Sequence, residues 1–252
     1  MSETDPVAVG SEGDIAYVTI SRPERANALD AETARAIADA IAAVEAERVV
    51  VLTGEGKAFC AGGDLEELER WAAGGAEQIR DELYGGFQAM IRAIRDSDAV
   101  VIAAVNGAAV GAGMDLALAC DLRIAGASAR FGQVWVGLGV IPGTGGAWLT
   151  QHLAGPTRAA ELLLTGDIIS AEEALSAGLV NAVVPDDSLL DEARALAARI
   201  LRHPREGVAA NKRAMVAATE AALEAALEHA ARVQPERFTS HEFRRALRSR
   251  RR

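Results

Sequence analysis

Two kinds of hydrophobic pattern alternate along this chain. Residues 49–53 (VVVLT) and 100–106 (VVIAAVN) are unbroken apolar runs of strand length, which predict buried strands. Residues 15–21 (IAYVTIS) alternate enough to predict a third strand, stopped by Arg22-Pro23. Ile37, Ile41 and Val44 repeat at helical spacing across 31–45, with Asn27 or Asp30 as the expected cap. Helices are predicted at 65–73 and at 76–95, separated by Gly74-Gly75. Two amphipathic helices, 145–153 and 157–164, flank Gly155-Pro156. Ser170-Ala171-Glu172-Glu173 reads as a capping box for a short helix ending near Gly178. Residues 180–184 form a last strand before Pro185. Beyond Asp186 only helices are expected, at 189–201, 204–218 and 219–232, so the chain divides into a core of residues 1–186 and a C-terminal helical region of 187–252.

Two of these strands lead into glycine-rich turns and then helices. The run 100–106 ends at Asn106-Gly107, and Gly111-Ala112-Gly113 precedes the helically spaced Leu116, Leu118 and Ala119. The run 49–53 leads through GEGKAFCAGG to Asp64, placed as an N-cap before Leu65 and Leu68. A helix start leaves backbone N–H groups unpaired and carries the positive end of the helix dipole. Glycine lets a ligand approach that backbone. One such unit says little; two can supply converging donors near Gly63 and Ala112. Two donors on one carbonyl oxygen make an oxyanion hole, each worth about 3–4 kcal/mol in comparable sites.

Composition narrows the possibilities. The 252 residues suit one large domain, or one domain with a small appendage, with 50% apolar and 25% charged residues and no apolar run long enough to span a bilayer. The N-terminus (MSETDPVAVGSEG) is polar and acidic, so no secretory signal is expected. A formal net charge of −10 argues against a general nucleic-acid binder. Cys60 and Cys120 suit a reducing cytoplasm without disulfides, and the scattered His152, His203, His229 and His241 suggest no metal site. The Gly54-Glu55-Gly56-Lys57 stretch lacks phosphate-loop spacing, no G-x-G-x-x-G follows a strand, and no G-x-S-x-G is present. The arginines at 244, 245, 248 and 250–252 read as a solvated, frayed terminus or, alternatively, as a contact for RNA or phosphate.

Four segments carry a resemblance: AFCAGGDL (58–65), AVNGAAVGAGMDLALACDLRIA (104–125), FGQ (131–133) and GLGVIPGTGG (137–146). In order and spacing they resemble the crotonase superfamily, also called the enoyl-CoA hydratase/isomerase family, over nearly the whole chain from about residue 15. The resemblance implies an α/β fold, a crotonase-like spiral of ββα units with a C-terminal helical trimerisation region. It implies an acyl-CoA thioester ligand, no cofactor beyond that coenzyme A, and an oxyanion hole from the N–H groups of Gly63 and Ala112. It further implies CoA contacts along 24–28, at Arg25 and Ala26, and at Ala61, Gly63, Asp64, Leu65 and Gly111. Arg25 reads equally as a solvated surface arginine. Lys212, one of two lysines with Lys57, is a further candidate for the phosphates of CoA bound to its own or a neighbouring subunit. The implied assembly is a homotrimer or a hexamer built as a dimer of trimers, in the cytoplasm, with no membrane or nucleic-acid partner.

The chain departs from the family's hydratases at the reacting groups. Their two water-holding glutamates match Asp115 and Trp135, twenty residues apart. Asp115 keeps a carboxylate, with an ordinary pKa of about 3.9 if nothing shifts it. Trp135 offers only an indole N–H and cannot accept a proton. Its ring is expected to shape the acyl pocket instead. The position of an aspartate used by certain isomerases and a dehalogenase of the family is Gly143 here. A lone base suffices to move a proton between two carbons of an enolate, whereas losing a positioned acid or base costs roughly 10²–10⁴-fold. The expected catalytic set is therefore Asp115 with the N–H groups of Gly63 and Ala112, serving an isomerase or weak hydratase. A non-catalytic acyl-CoA-binding homologue is the alternative. Glu66, Glu67 and Glu69 read as a solvated face or, alternatively, as carboxylates within reach of an active site, and Trp71, Leu83, Tyr84, Phe87 and Met90 as core or acyl-pocket lining.

Overall fold

The computed structural model describes residues 5–44 and 46–249, apart from the Tyr84 side chain. Strands β1 (Val7–Glu12), β2 (Ile15–Ile20), β3 (Val49–Gly54), β5 (Val100–Val105), β7 (Leu122–Gly126) and β10 (Ala182–Val184) pair in that order into a six-stranded sheet. Strands β4 (Ala58–Cys60), β6 (Ala108–Val110), β8 (Arg130–Gly132) and β9 (Ile168–Ser170) make a second sheet of four. Among the described residues only the β1–β2 and β8–β9 pairs are antiparallel. The helices are α1 (Ala31–Ala42), α2 (Leu65–Ala73), α3 (Ala76–Glu82), α4 (Ala89–Asp96), α5 (Ala112–Ala119), α6 (Gly146–Thr165), α7 (Ala171–Ser176), α8 (Leu189–Leu201), α9 (Arg205–Ala217), α10 (Glu220–Phe238) and α11 (His241–Ser249).

The chain order generates a spiral. Three times over, a strand of the large sheet is followed by a strand of the small sheet and then by helix: β3-β4-α2, β5-β6-α5 and β7-β8-α6. Each turn adds one parallel strand to both sheets. The apolar runs are unbroken because β3 and β5 are buried on both faces. Alternate residues serve different cores: Val50, Leu52, Val101 and Ala103 face the larger one, and Val49, Val51, Val100 and Ile102 the smaller. Helix α8 covers the smaller core with Leu189, Ala193 and Ala197. Helix α5 (AGMDLALA) is apolar almost all round and every residue in it is buried. Its single charged residue, Asp115, is therefore carried into the interior.

Several elements differ from the expected ones for identifiable reasons. The short strands β4, β6, β8 and β9 span three residues each, too few to print a period on the sequence. Strand β1 is an edge strand exposed along nearly its whole length, so its residues look like a polar terminus. The helix expected at 76–95 is divided by a π-helical turn over Leu83–Gln88, which contains Gly85-Gly86. Non-helical backbone at Gly155 breaks α6 before Pro156, at the expected point. At the C-terminus α10 continues to Phe238, and α11 is an ordered helix where a frayed end was one expectation. Phe238 meets Trp71 at 4.9 Å between ring centroids and Phe243 at 4.9 Å, and these edge-on contacts pin α10 and α11 to α2. Arg244 Nε donates to the Ala72 carbonyl, while Arg250, Arg251 and Arg252 lie outside the described residues.

Candidate active site

The pairing of β4 with β6 creates the site. Ala58 opposes Ala108 and Cys60 opposes Ala109 in parallel, so the turns leaving both strands emerge side by side. Helices α2 and α5 start from those turns, and both N-termini reach one cavity of about 770 Å³. Two glycines permit the approach. At Gly113 a Cβ would lie 2.1 Å from the Cys60 carbonyl oxygen, so α5 sits against β4 only without a side chain there. At Gly62, with φ +95°, a Cβ would lie 2.8 Å from the Val110 carbonyl and 3.6 Å from the Ala112 nitrogen. The two turns therefore touch.

The local hydrogen bonds set the direction of the Gly63 N–H. Leu29 N–H donates to the Gly62 carbonyl at 2.7 Å, and Asp64 N–H donates to the Leu29 carbonyl at 2.7 Å. Ala61 N–H donates to the Ala26 carbonyl at 3.1 Å. The flanking amides thus face the 26–29 segment, and Gly63 lines the cavity. Ala112 opens α5, where the first N–H groups have no acceptor within the helix. Just before it, Gly111 takes φ +56°, ψ −124°, a conformation that side chains rarely adopt. Opposite, the loop 25–28 holds two non-glycine residues in the left-handed region, Ala26 and Asn27. Such residues cost roughly 1–3 kcal/mol each unless their surroundings over-determine them. Asn27 meets that condition. Its Oδ1 accepts from Arg22 N–H at 2.9 Å, and its Nδ2 donates to the Glu55 and Ala58 carbonyls at 2.9 and 2.7 Å.

Of the expected residues, Arg25, Ala61, Gly63, Asp64, Leu65, Gly111 and Trp135 line this one cavity. Arg25 stands at its mouth, paired with Asp64 at 3.4 Å and Glu66 at 3.1 Å. Ala26, Ala112 and Asp115 are not among the lining residues. Glu24 and Ala28, within the expected 24–28 segment, do line it, as do Leu68, Val134 and Leu138, which the sequence reading passed over. Leu68 follows Leu65 at helical spacing and Val134 adjoins Trp135, so spacing was the available signal. Glu67 is buried, accepting from Ala31 N–H at 3.2 Å and pairing with Arg70, in place of the expected solvated position. Trp71, Leu83, Phe87 and Met90 are core residues that do not line the cavity; Tyr84's side chain lies outside the described residues.

The Lys212 ammonium is engaged inside this chain. Its Nζ pairs with Asp121 at 2.8 Å and donates to the Ile94 and Ala99 carbonyls at 2.9 and 2.7 Å, with the side chain almost wholly buried. Its long stem is drawn inside because three oxygens there use all three ammonium protons.

Asp115 is fully buried beneath the cavity lining. Gln133 Nε2 donates to it at 2.8 Å and Thr144 Oγ1 at 2.5 Å, and the N–H of Gly146 at the start of α6 also favours its ionised form. Burial pushes its pKa up to about 6, against the opposing pull of these donors. Trp135 lies between: it lines the cavity, packs on Gly111, and its N–H adds to the groups favouring the ionised carboxylate. That indole Nε1 is buried and its geometry falls short of a hydrogen bond. At Gly143 a Cβ would lie 1.8 Å from Gln234 Oε1, so an amide from α10 fills the space that a side chain there would need. Among the described residues no group of three His, Cys, Asp or Glu side chains is placed to hold a metal ion, and no helix is long and apolar enough to cross a membrane.

A spiral of paired sheets that brings two helix-start turns to one cavity defines the class of α/β protein to which this chain belongs. Comparison with known proteins agrees: the model of the enoyl-CoA hydratase/isomerase family matches residues 10–251, and the chain belongs to that family. It is 40% identical to a crotonyl-CoA hydratase of Syntrophomonas wolfei over 213 residues, 82% of this chain and 80% of that protein. It is 37% identical to a 1,2-epoxyphenylacetyl-CoA isomerase of Escherichia coli over 210 residues, again 82% and 80% of the two chains. The solved structure of an enoyl-CoA hydratase from Bacillus halodurans superposes with a TM-score of 0.91 at 26% identity, covering 97% of this chain and 99% of that one.

Proposed function

We propose that this protein is an acyl-CoA hydratase/isomerase-type enzyme that binds the thioester with its carbonyl oxygen between the N–H groups of Gly63 and Ala112. The observation that carries this reading is the contact between the Gly62 and Ala112 turns at one cavity. Donors fixed in that arrangement favour the enolate over the ground-state thioester, because negative charge grows on the oxygen as a carbon–hydrogen bond is broken. The acyl-CoA relatives support the thioester as ligand. Arg25 and the 24–28 segment at the mouth are the proposed contacts for the CoA portion.

Asp115 is the proposed base. It takes a proton from a substrate carbon and returns it to another carbon of the same enolate, so no net proton is consumed. Isomerisation needs only this one group. Hydration through a water held by two carboxylates lacks its second partner, because Trp135 has no basic atom. Since Asp115 lies under the lining, transfer requires the Trp135 ring to turn aside when the acyl group is bound. The helices after Asp186 are the proposed surface for a trimer or hexamer, and the cytoplasm is the proposed setting.

Exchange of α- and γ-protons in deuterated water, over a panel of short, long and aromatic enoyl-CoAs, tests the reading. Wild type should exchange; Asp115→Asn should bind with nearly unchanged affinity and not exchange. Undiminished exchange in Asp115→Asn would remove Asp115 from the mechanism. Absence of both exchange and double-bond migration in wild type with every thioester would reduce the protein to a binder.

A further inference from the structure

We infer that Arg22, which lies outside the cavity lining, is a positioning residue that fixes the Gly63 N–H in the oxyanion hole. This rests on the proposed acyl-CoA reading and assigns that site a residue outside its lining.

The geometry is a bracket around a single backbone bridge. Leu29 and Gly63 are paired through the two bonds already described, from Leu29 N–H to Gly62 and from Asp64 N–H to Leu29. The Arg22 guanidinium bonds to the residues on both sides of Leu29 and to the residue after Gly63. Its Nη1 donates to the Ala28 carbonyl at 2.6 Å and to Thr33 Oγ1 at 3.3 Å. Its Nη2 lies 2.9 Å from Asp30 Oδ2 and 3.2 Å from Asp64 Oδ2. The Asp64 carboxylate in turn accepts the Glu66 N–H at 2.9 Å and caps α2. Asp30 likewise caps α1 through Thr33 N–H at 2.8 Å. One planar fork therefore ties two helix starts and the donor turn into one unit.

Burial makes the bracket rigid. The Asp64 side chain is 4% exposed and that of Arg22 16%, whereas Arg25, the other cation on Asp64, is 40% exposed. The two arginines divide the work: Arg25 faces the mouth and Arg22 faces inward. A guanidinium is suited to the inner place because its donors diverge in a fixed plane, which an ammonium on a flexible stem cannot reproduce. Misplacement of a catalytic donor by about 1 Å costs up to roughly 10²-fold in rate.

Polarisation of a bound thioester carbonyl reads the donor directly, without turnover. With [1-13C]crotonyl-CoA, isotope-edited infrared spectra of wild type should show the carbonyl stretch shifted to lower frequency on binding. Arg22→Met should lose most of that shift and about tenfold or more of proton exchange, with dissociation constant changed far less. Arg25→Met should do the reverse, weakening binding while the bound carbonyl keeps its shift. Arg22→Lys retains charge but not the fork and should recover only part of the shift. A full wild-type shift in Arg22→Met overturns the inference and leaves the acyl-CoA reading intact. If Arg22→Met does not fold, a full shift in Arg22→Lys overturns it equally. Wild type that binds no acyl-CoA from the panel overturns the acyl-CoA reading and this inference with it.

Discussion

Replacing Gly113 by alanine tests whether the contact between the two turns is what makes the site. The added methyl would stand 2.1 Å from the Cys60 carbonyl oxygen, 2.8 Å from its carbon and 2.8 Å from its Cβ. Two of these atoms are backbone in β4, which pairs with β6 and cannot turn aside as a side chain would. Relief of the 2.1 Å contact to an ordinary one above 3.4 Å requires α5 and β4 to separate by about 1.3 Å. Overpacking of this kind costs roughly 1–3 kcal/mol, and more where backbone must move. At this chain length each kcal/mol lowers Tm by about 2–4 °C. The same displacement parts the Gly63 and Ala112 donors, so proton exchange should fall by roughly 10²-fold even where the protein is still folded. Gly207→Ala is the control. Its Cβ would meet nothing within 4 Å on helix α9, and it should stabilise the fold by about 0.5–1 kcal/mol. Thermal melts together with exchange rates decide the matter. Wild-type Tm and wild-type exchange in Gly113→Ala would refute the reasoning.

Much of this arrangement is readable in the sequence because it depends on backbone. Unbroken apolar runs marked β3 and β5, glycines marked where α2 and α5 begin, and Asp64 marked the cap of α2. What the sequence does not print is pairing. That β4 lies beside β6 follows from the spiral's handover between sheets, and three-residue strands carry no period to announce it. Depth is also hidden. Glu67 sits in an acidic stretch that reads as a wetted face, yet it is buried against the Ala31 N–H. Lys212 looks like a spare cation and is consumed by Asp121 and two carbonyls from distant parts of the chain. Asp115 is intermediate. Its helix is apolar almost all round, but its place beneath Trp135 depends on Gln133, Thr144 and Gly146, which come from two later segments.

Two further outcomes are expected. Lys212→Met should leave thioester affinity unchanged and cost about 3–5 kcal/mol, because Asp121 and the Ile94 and Ala99 carbonyls lose their buried partner. A melt within 2 °C or so of wild type would exclude that role. The second concerns the pH dependence that Asp115 imposes. Its folded pKa is raised from 3.8 to about 6, so the folded state holds this proton more tightly than the unfolded chain. The associated stabilisation is fully present below about pH 3.8 and is lost as pH rises through about 6. That displacement corresponds to roughly 3 kcal/mol. The group's own contribution to unfolding free energy should therefore fall between those limits, and subtracting an Asp115→Asn curve isolates it. Proton exchange should run the opposite way, rising towards pH 7, because only the ionised carboxylate accepts a proton. Exchange independent of pH between 5 and 7, in a protein whose Asp115 is seen by carboxyl NMR to titrate near 6, would separate the buried carboxylate from the chemistry and leave it as the structural link between α5 and α6.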